Sequence, residues 1–279
     1  MMTLDAPDQD TGGGQKPAPD YSVPPVERAF RLLRHIAAGN HCRNSSQTAK
    51  EIGINRTTLI RLLATLEAER MIEALPDAGG YRLGTGVIAL ATQALNERGI
   101  IPTARPVLKS LATKLGLSAH LAVREGREIV YLARETPVSH LASSVREGSR
   151  LPAHATTIGR ILLAELTPAE LRELYQGQAL EAYTDKTRTT LEELQRQLET
   201  DRARGMTWSV ANFEHDIGSA AVAVHDYQGR AIAAINVTGH ASVFAEGSPI
   251  VGEIEAEVKA AARQISEALG YRGWSSDQM

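Results

Sequence analysis

The segment between Ser45 and Leu66 constrains the fold of this 279-residue chain more than any other part of the sequence. Ala49 lies four residues before Gly53, and Leu59 lies six residues after it, which is the spacing of a helix-turn-helix. The small residue lets two helices approach, the glycine takes the left-handed turn conformation, and the leucine packs the second helix onto the first. The spacing therefore predicts two short helices that meet at a tight turn.

Capping residues and neighbouring patterns extend this pair into a larger module. Ser45 or Ser46 can cap the first helix of the pair, and Asn55 can cap the second. A preceding helix can begin at Pro25, with apolar residues at positions 26, 30, 33 and 36. After the pair, residues 71–83 have the pattern of a strand, a turn and a strand, which is typical of a β-wing. Residues 21–83 are thus predicted to form a winged helix-turn-helix domain.

The third predicted helix, which runs from Arg56 to about Arg70, has two different faces. Leu59 and Leu66 belong to an apolar stripe, whereas the opposite face carries two arginines, a threonine and an isoleucine. Arginine pairs bidentately with guanine, and threonine can contact a thymine methyl group or a phosphate, so this face suits a DNA major groove. The residues predicted to contact double-stranded operator DNA are Ser46, Gln47, Asn55, Arg56, Thr57, Thr58, Ile60 and Arg61, together with Arg82 of the wing, near a phosphate.

Charge is distributed unevenly, although the formal net charge of the chain is only −3. Residues 21–83 carry nine Lys or Arg against six Asp or Glu, whereas residues 1–20 carry one Lys and four Asp. A mildly basic segment inside an acidic chain is compatible with a domain that faces phosphates. Residues 1–20 are rich in Gly, Pro and Asp and are expected to be a disordered tail.

Composition excludes several classes of protein. No apolar run reaches the roughly 18 residues that a membrane span needs, and the first residues lack the pattern of a signal peptide, so we expect a cytoplasmic protein. Cys42 is the single cysteine, which excludes an intramolecular disulfide framework and a multi-cysteine metal site. The eight histidines include no pair at the usual metal-binding spacings, so neither a metal nor a cofactor is predicted.

The remainder of the chain predicts a linker and a second domain. Residues 84–101 fit a connecting helix, and residues 102–272 combine two hairpins with several helices. Capping boxes at Thr167 and Thr190 begin two of these helices, and another begins at Thr156 or Thr157. Strands flanked by a few long helices indicate an α+β fold with a largely antiparallel sheet. Residues 273–279 are expected to be a C-terminal tail.

With these elements in this order, the sequence resembles the IclR family of bacterial transcriptional regulators. The resemblance covers about residues 23–270 and is carried by VERAFRLLRHIA, AKEIGINRTTLIRLLATLE and YRLGTGVIALA in the first domain, and by GSRLPAHATTIGRILLA and FEHDIGSAAVAVHDYQGRAIAAINVTG in the second. It implies a repressor or activator that forms a homodimer or homotetramer. It also implies a GAF-like domain that senses a small organic acid from a catabolic pathway, with aromatic acids among the candidates.

The resemblance also implies where the effector binds, between the sheet and the loop and helix that carry LPAHATTIGR. Carried over motif by motif, the effector-binding residues are Ser143, Leu151, Thr157, Ile158, Ser209, Ile217, Ser219, Asn236 and Thr238. Neutral hydroxyl groups there could donate hydrogen bonds to a carboxylate, and backbone N–H groups near Thr156 would favour an anion. This chain departs from the family at Ser219, where a cysteine is common, and near Ser209, where an acidic residue is common, so the effector stays open.

Two other functions are alternatives to a ligand-responsive regulator. The second domain could be an enzyme that acts on a small organic acid, fused to an autoregulatory DNA-binding domain, although no acid–base pair has a recognisable spacing. An architectural DNA-binding protein is disfavoured by the elaborate second domain and by the small positive charge of the first. The sequence leaves the operator sequence, the sign of regulation and the oligomeric state open.

Overall fold

The structure, a computed structural model, describes residues 22–76, 79–97, 99–137 and 145–273. The chain divides into two compact units, and the boundary between Ala94 and Leu95 lies inside the segment predicted as a linker. The predicted N-terminal tail lies outside the described residues, as does the predicted C-terminal tail apart from Gly273. Within the described part of the chain, no helix is both long enough and apolar enough to cross a membrane.

The first unit contains the predicted three helices and the two-stranded wing. Its elements are α1 (Pro24–Ala37), α2 (Ser45–Glu51), α3 (Arg56–Ala68), β1 (Ile72–Ala74) and β2 (Tyr81–Leu83), and α4 (Thr85–Glu97) follows them across the boundary. Gly53 has φ +66° at the turn between α2 and α3, while Ala49 and Leu59 are buried in the core. The antiparallel pairing of β1 with β2 confirms the predicted strand–turn–strand.

Two details of the first unit differ from the prediction. Asn44, rather than Ser45 or Ser46, caps α2, because its side chain accepts hydrogen bonds from the backbone N–H groups of Ser46 and Gln47. In α1, Val26 is 50% exposed and Phe30 is 54% exposed. This helix carries two apolar stripes, and the core uses the one that contains Leu32 and Ile36.

The second unit is an antiparallel sheet with helices on both faces, which confirms the predicted α+β class. Its elements are α5 (Ile100–Leu115), β3 (Ser118–Glu125), β4 (Glu128–Glu135), β5 (Arg150–Pro152), α6 (Thr157–Leu163), α7 (Pro168–Tyr175), α8 (Leu191–Arg204), β6 (Thr207–Val210), β7 (Ile217–His225), β8 (Ala231–His240), a 3₁₀ turn (Ala241–Phe244) and α9 (Val251–Ala268). Within the described residues, six strands form one sheet in the order β5-β4-β3-β8-β7-β6, and all neighbouring strands are antiparallel.

Both capping boxes form as predicted, at Thr167 with Glu170 and at Thr190 with Glu193. The linker was predicted to end at residue 101, which needs a correction. Ile100 and Ile101 form the first turn of α5 and are buried in the core of the second unit. The strands β5 and β6 were not predicted, since segments of three and four residues are too short to show an alternating pattern.

The alternation of side chains gives the large sheet two different faces. In β7, Ala220, Val222 and Val224 belong to the apolar cluster beneath α5 and α9, whereas Ala221 and Ala223 belong to the cluster beneath α6 to α8. The first face is lined by Ala, Val, Ile and Leu. The second face also carries polar residues, and it forms the floor of the site described next.

Candidate DNA-contacting helix and effector cavity

The helix α3 presents the two faces that the sequence predicts. Asn55 caps it, since its Oδ1 accepts a hydrogen bond of 2.7 Å from the backbone N–H of Thr58. Leu59 is buried, whereas Ile60 beside it is 49% exposed. The other exposed side chains of this face are Arg56, Thr57 and Arg61. Among the described residues, neither of the two arginines has an ion-pair partner. Within the described part of the chain, this face is therefore exposed and cationic, with Ile60 as its apolar member.

The remaining predicted DNA contacts lie in three different environments. Ser46 and Gln47 are exposed in the first turn of α2, where the Gln47 amide also donates to Glu51. Thr58 is half-buried on α3. Arg82 is exposed on the wing, but its guanidinium donates to the carboxylate of Glu73, its partner on the opposite strand. A phosphate would have to compete with Glu73 for this arginine.

The second unit contains a cavity of about 280 Å³ on the face of the sheet that carries polar residues. Seven of the nine side chains predicted to bind the effector line it, although they come from distant parts of the chain. These seven are Leu151, Thr157, Ser209, Ile217, Ser219, Asn236 and Thr238. The structure thus brings together residues that are separated by up to 87 positions in the sequence, counted from Leu151 to Thr238.

Two of the predicted effector residues do not join this set. Ile158 is fully buried in the apolar cluster beneath α6 to α8 and does not line the cavity. Successive residues of a helix point about 100° apart, so Thr157 faces the cavity and its neighbour faces the core. Ser143 lies outside the described residues.

The position of Thr157 depends on the start of α6. Thr156 caps the helix, because its Oγ1 accepts from the backbone N–H of Gly159 and donates to the carbonyl oxygen of Pro152. A Cβ atom at Gly159 would lie 2.2 Å from the Cα of Ala153, so glycine is required for this close approach. The backbone N–H of Gly159, one of the groups near Thr156 that were predicted to favour an anion, is therefore already hydrogen-bonded within the protein.

A chain of hydrogen bonds runs through the buried end of the cavity. The Asn236 amide donates to Ser219 Oγ at 3.0 Å, and Ser219 Oγ lies 2.8 Å from Thr157 Oγ1. The fully buried His120 lies behind Asn236, and its Nδ1 is 3.0 Å from Asn236 Oδ1. Thr238 Oγ1 is buried and has no hydrogen-bond partner among the described residues. The buried end therefore holds neutral polar groups that are bonded mainly to one another.

His120 and Tyr131 were missed by the sequence reasoning. His120 interrupts the apolar run at the start of β3, and a lone polar residue in such a run was the available signal. Burial lowers the pKa of His120 to about 4, so this ring is neutral at pH 7. Burial also raises the pKa of Tyr131, which lines the cavity and contacts the His120 ring at 5.4 Å between centroids.

The exposed end of the cavity has a different charge from the buried end. Glu214, Asp216 and His240 are exposed and line the cavity there. Among the described residues that line the cavity, none is a lysine or an arginine. His154 of the LPAHATTIGR motif does not line it; its Nε2 lies 2.9 Å from the carbonyl oxygen of Glu181, which is a structural hydrogen bond.

Two parts of the chain match models of the two domains of one protein family. Residues 92–267 match the model described as the C-terminal domain of bacterial IclR transcriptional regulators, and residues 25–76 match the IclR helix-turn-helix domain. Over 247 residues, the chain is 30% identical to the HTH-type transcriptional regulator XynR of Escherichia coli K12, covering 88% of this chain and 97% of that protein.

Solved structures show the same architecture. An IclR-type transcriptional regulator of Alicyclobacillus acidocaldarius has a TM-score of 0.78 and 26% identity, covering 90% of this chain and 100% of that one. An IclR homologue of Microbacterium hydrocarbonoxydans, solved in complex with 4-hydroxybenzoate, shares the fold with a TM-score of 0.78 at 22% identity, covering 88% of this chain and 98% of that one.

Proposed function

The chain belongs to the IclR family of bacterial transcriptional regulators, and from this premise we propose that it binds operator DNA through α3 and responds to a small organic acid in the cavity of its second unit. Members of this family are regulators of transcription and not enzymes, so the enzyme interpretation of the second unit is set aside. The observation that carries the proposal is that one chain combines an exposed, cationic helix face with a cavity whose buried end is polar and neutral. A protein that binds operators acts in the cytoplasm.

The proposed DNA contact places α3 in the major groove. Arg56 and Arg61 would contact bases or phosphates, and Thr57 lies between them in the sequence on the same exposed face. Two winged helices of a homo-oligomer would occupy the half-sites of a pseudo-palindromic operator. Arg82 would add a phosphate contact only after it separates from Glu73.

An apolar stripe on α1 and its N-cap residue supports the homo-oligomer. Val23, Val26 and Phe30 are each half-exposed or more, and they follow one another at helical spacing of three and four residues. Clustered apolar side chains that face solvent are typical of a protein–protein interface. A second copy of the chain is the partner that a two-half-site operator requires, with the choice between a dimer and a tetramer left to measurement.

The polarity of the cavity supports an acid that enters with its carboxylate first. The hydroxyl pair of Thr157 and Ser219 can donate a hydrogen bond to a carboxylate at the buried end. Glu214 and Asp216 would repel an anion at the exposed end and would accept a hydrogen bond from a ligand hydroxyl. A cavity at the small end of the range for ligand sites suits a short or single-ring acid.

Thermal melting of the full chain against a panel of roughly fifty small organic and aromatic acids tests the effector. A concentration-dependent rise in melting temperature with one acid is the expected result, because a ligand that binds the native state stabilises it by mass action. The exposed Thr200→Ala substitution on α8 is a control that should leave this shift unchanged. If no acid shifts the melting temperature, the proposed effector class is withdrawn, and the DNA-binding proposal stands on its own test.

Operator binding tests the second half of the proposal. An operator is first selected from a library of random duplexes, and its affinity is then measured with and without the stabilising acid. A coupling of about 1–3 kcal/mol is expected, and the operator must change the affinity for the acid by the same factor. Equal operator affinities in both conditions would contradict a ligand response.

A further inference from the structure

His120 lies behind the wall of the cavity and contacts Asn236 there. It is fully buried on β3, and its Nδ1 lies 3.0 Å from Oδ1 of Asn236, which is 2% exposed and lines the cavity. On its other side, the Asn236 amide nitrogen lies 3.0 Å from Ser219 Oγ and 3.5 Å from Thr157 Oγ1. Asn236 therefore bridges a histidine that no ligand reaches and two hydroxyl groups that a ligand can reach.

This chain of groups can carry its hydrogen bonds in either of two directions. In the first, His120 Nδ1–H donates to Asn236 Oδ1, and the amide N–H groups donate to the hydroxyl oxygens. In the second, His120 carries its proton on Nε2, the amide is rotated by 180°, and the hydroxyl groups donate to Oδ1 instead. The proton position on a neutral histidine ring thus decides the direction of the entire chain.

The surroundings of His120 favour the first direction. His120 Nε2 is buried without a hydrogen-bond partner among the described residues. A proton on Nε2 would be a buried donor without an acceptor, whereas a proton on Nδ1 is donated to Asn236 Oδ1. In the first direction, the Asn236 amide nitrogen donates to Ser219 Oγ at 3.0 Å, and Thr157 Oγ1 lies 3.5 Å from the same nitrogen.

The first direction leaves one hydroxyl hydrogen for a ligand. Ser219 and Thr157 have one O–H each, and the 2.8 Å bond between them uses one of the two. Neither hydroxyl can donate to Asn236, because Asn236 presents N–H groups to them. The second direction would use both hydroxyl hydrogens inside the chain and would offer the ligand only lone pairs.

We propose that His120 is a positioning residue that holds Asn236 in the orientation in which the Ser219–Thr157 pair keeps one O–H donor for an acceptor atom of the effector. The ligand class that follows is one with a carboxylate or carbonyl oxygen at its buried end. This inference rests on the proposed function for its ligand, whereas the direction of the hydrogen bonds is a property of the protein alone and can be measured without a ligand.

The ring tautomer is the direct test. In full-length protein labelled with ¹⁵N-histidine, two-bond ¹H–¹⁵N correlation spectra at pH 7 distinguish a protonated ring nitrogen from an unprotonated one. His120, assigned by its loss in His120→Gln, should be neutral with its proton on Nδ1. His154, assigned in the same way, is an internal control that should carry its proton on Nε2, because that atom faces the carbonyl oxygen of Glu181. A proton on Nε2 of His120 overturns the proposal.

Ligand selectivity is the second test, with 4-hydroxybenzoate and 4-hydroxybenzyl alcohol as probes of similar shape that differ in the carboxylate. We expect the wild-type protein to prefer the acid, and His120→Phe to weaken binding of the acid by about 5- to 10-fold, which is the effect of one hydrogen bond. His120→Gln, which can still donate to Asn236 Oδ1, should recover most of this loss, and His154→Phe should cause none.

Three outcomes are distinguishable. An unchanged preference in His120→Phe would overturn the positioning role. A loss that His120→Gln does not recover would indicate a packing role and would overturn it as well. If the wild-type protein binds neither probe, the effector class of the proposed function loses support, and the tautomer measurement still decides the direction of the hydrogen bonds.

Discussion

The helix α3 and the cavity of the second unit present polar side chains in opposite ways. On α3, Arg56 and Arg61 are exposed and unpaired among the described residues, so each can act independently of its neighbours. In the cavity, Ser219 and Asn236 are buried and bonded to one another and to residues far along the chain. A change on the helix surface should therefore act locally, whereas a change in the cavity should also affect the residues bonded to it.

The largest expected effect is a loss of stability on the face of α3 that packs into the core of the first unit. Leu59→Ala removes a fully buried side chain from the first unit and should lower the free energy of unfolding of that unit by about 2–5 kcal/mol. Hydrogen exchange across residues 45–83 and the melting temperature measure this loss. Ile60→Ala is the matched control, because Ile60 is the next residue on the exposed face and its removal leaves no cavity. An equal loss of stability in both variants would contradict the two-faced description of α3.

A pH titration contrasts buried and exposed polar groups next. Burial lowers the pKa of His120 to about 4 in the folded chain. As the pH falls, this histidine is therefore protonated near pH 6.5 in the unfolded chain but only near pH 4 in the folded chain. The stability of the second unit should thus be complete above pH 6.5 and should fall by about 3 kcal/mol on going down to pH 4.

Urea denaturation at several pH values measures this dependence. Burial also lowers the pKa values of His154 and His225, which adds to the loss in the same direction. His120→Gln removes one of these groups and should give a flatter profile than the wild type. A variant profile as steep as that of the wild type would show that His120 does not carry its share of the acid sensitivity.

The same contrast explains what the sequence could and could not predict. Helical period and the spacing of Ala49, Gly53 and Leu59 depend on neighbouring residues, so the faces of α3 were predictable from a short window. The period alone failed at Phe30, because α1 has two apolar stripes and the choice between them depends on tertiary packing. Such a choice involves residues that the local pattern does not contain.

The cavity was predictable only where a motif marked it. Ser219, Asn236 and Thr157 were identified by resemblance, and the structure places all three around one cavity. His120 carries no such mark, and its partner Asn236 lies 116 residues away. Pairing across β3 and β8 brings the two together, and antiparallel registers between distant strands are not written in local sequence patterns.

DNA affinity tests whether the arginines of the first unit act independently. Arg61→Ala should weaken specific operator binding by about 1–3 kcal/mol without lowering the melting temperature, since the side chain is exposed and unpaired among the described residues. Fluorescence anisotropy with operator and with unrelated duplex measures both affinities. Unchanged operator affinity would show that a different face of α3 meets the DNA.

Arg82→Ala is the comparison for this measurement, because the guanidinium of Arg82 is already paired with Glu73. It should weaken binding to operator and to unrelated duplex by the same factor, and this factor should be smaller than the effect of Arg61→Ala on operator binding. Glu73→Gln should strengthen binding to both duplexes, because it frees Arg82 for a phosphate. The slope of log K against log salt concentration should become steeper by about one. A sequence-dependent effect of either substitution would contradict a purely phosphate role for Arg82.

The smallest expected effect is at Asn55, where substitutions can distinguish capping of α3 from direct contact with DNA. Asn55 accepts the backbone N–H of Thr58, and Asn55→Ala should lower the stability of the first unit by about 1 kcal/mol through loss of this cap. Asn55→Ser keeps an oxygen that can cap the helix and should restore the melting temperature. If operator affinity is also restored, Asn55 acts on DNA only by holding the start of α3. If the affinity stays low in a fully stable Asn55→Ser protein, the amide itself contacts DNA. Asn55 would then resemble the cavity residues in supporting its neighbours through a hydrogen bond, and it would resemble Arg61 in contacting DNA directly.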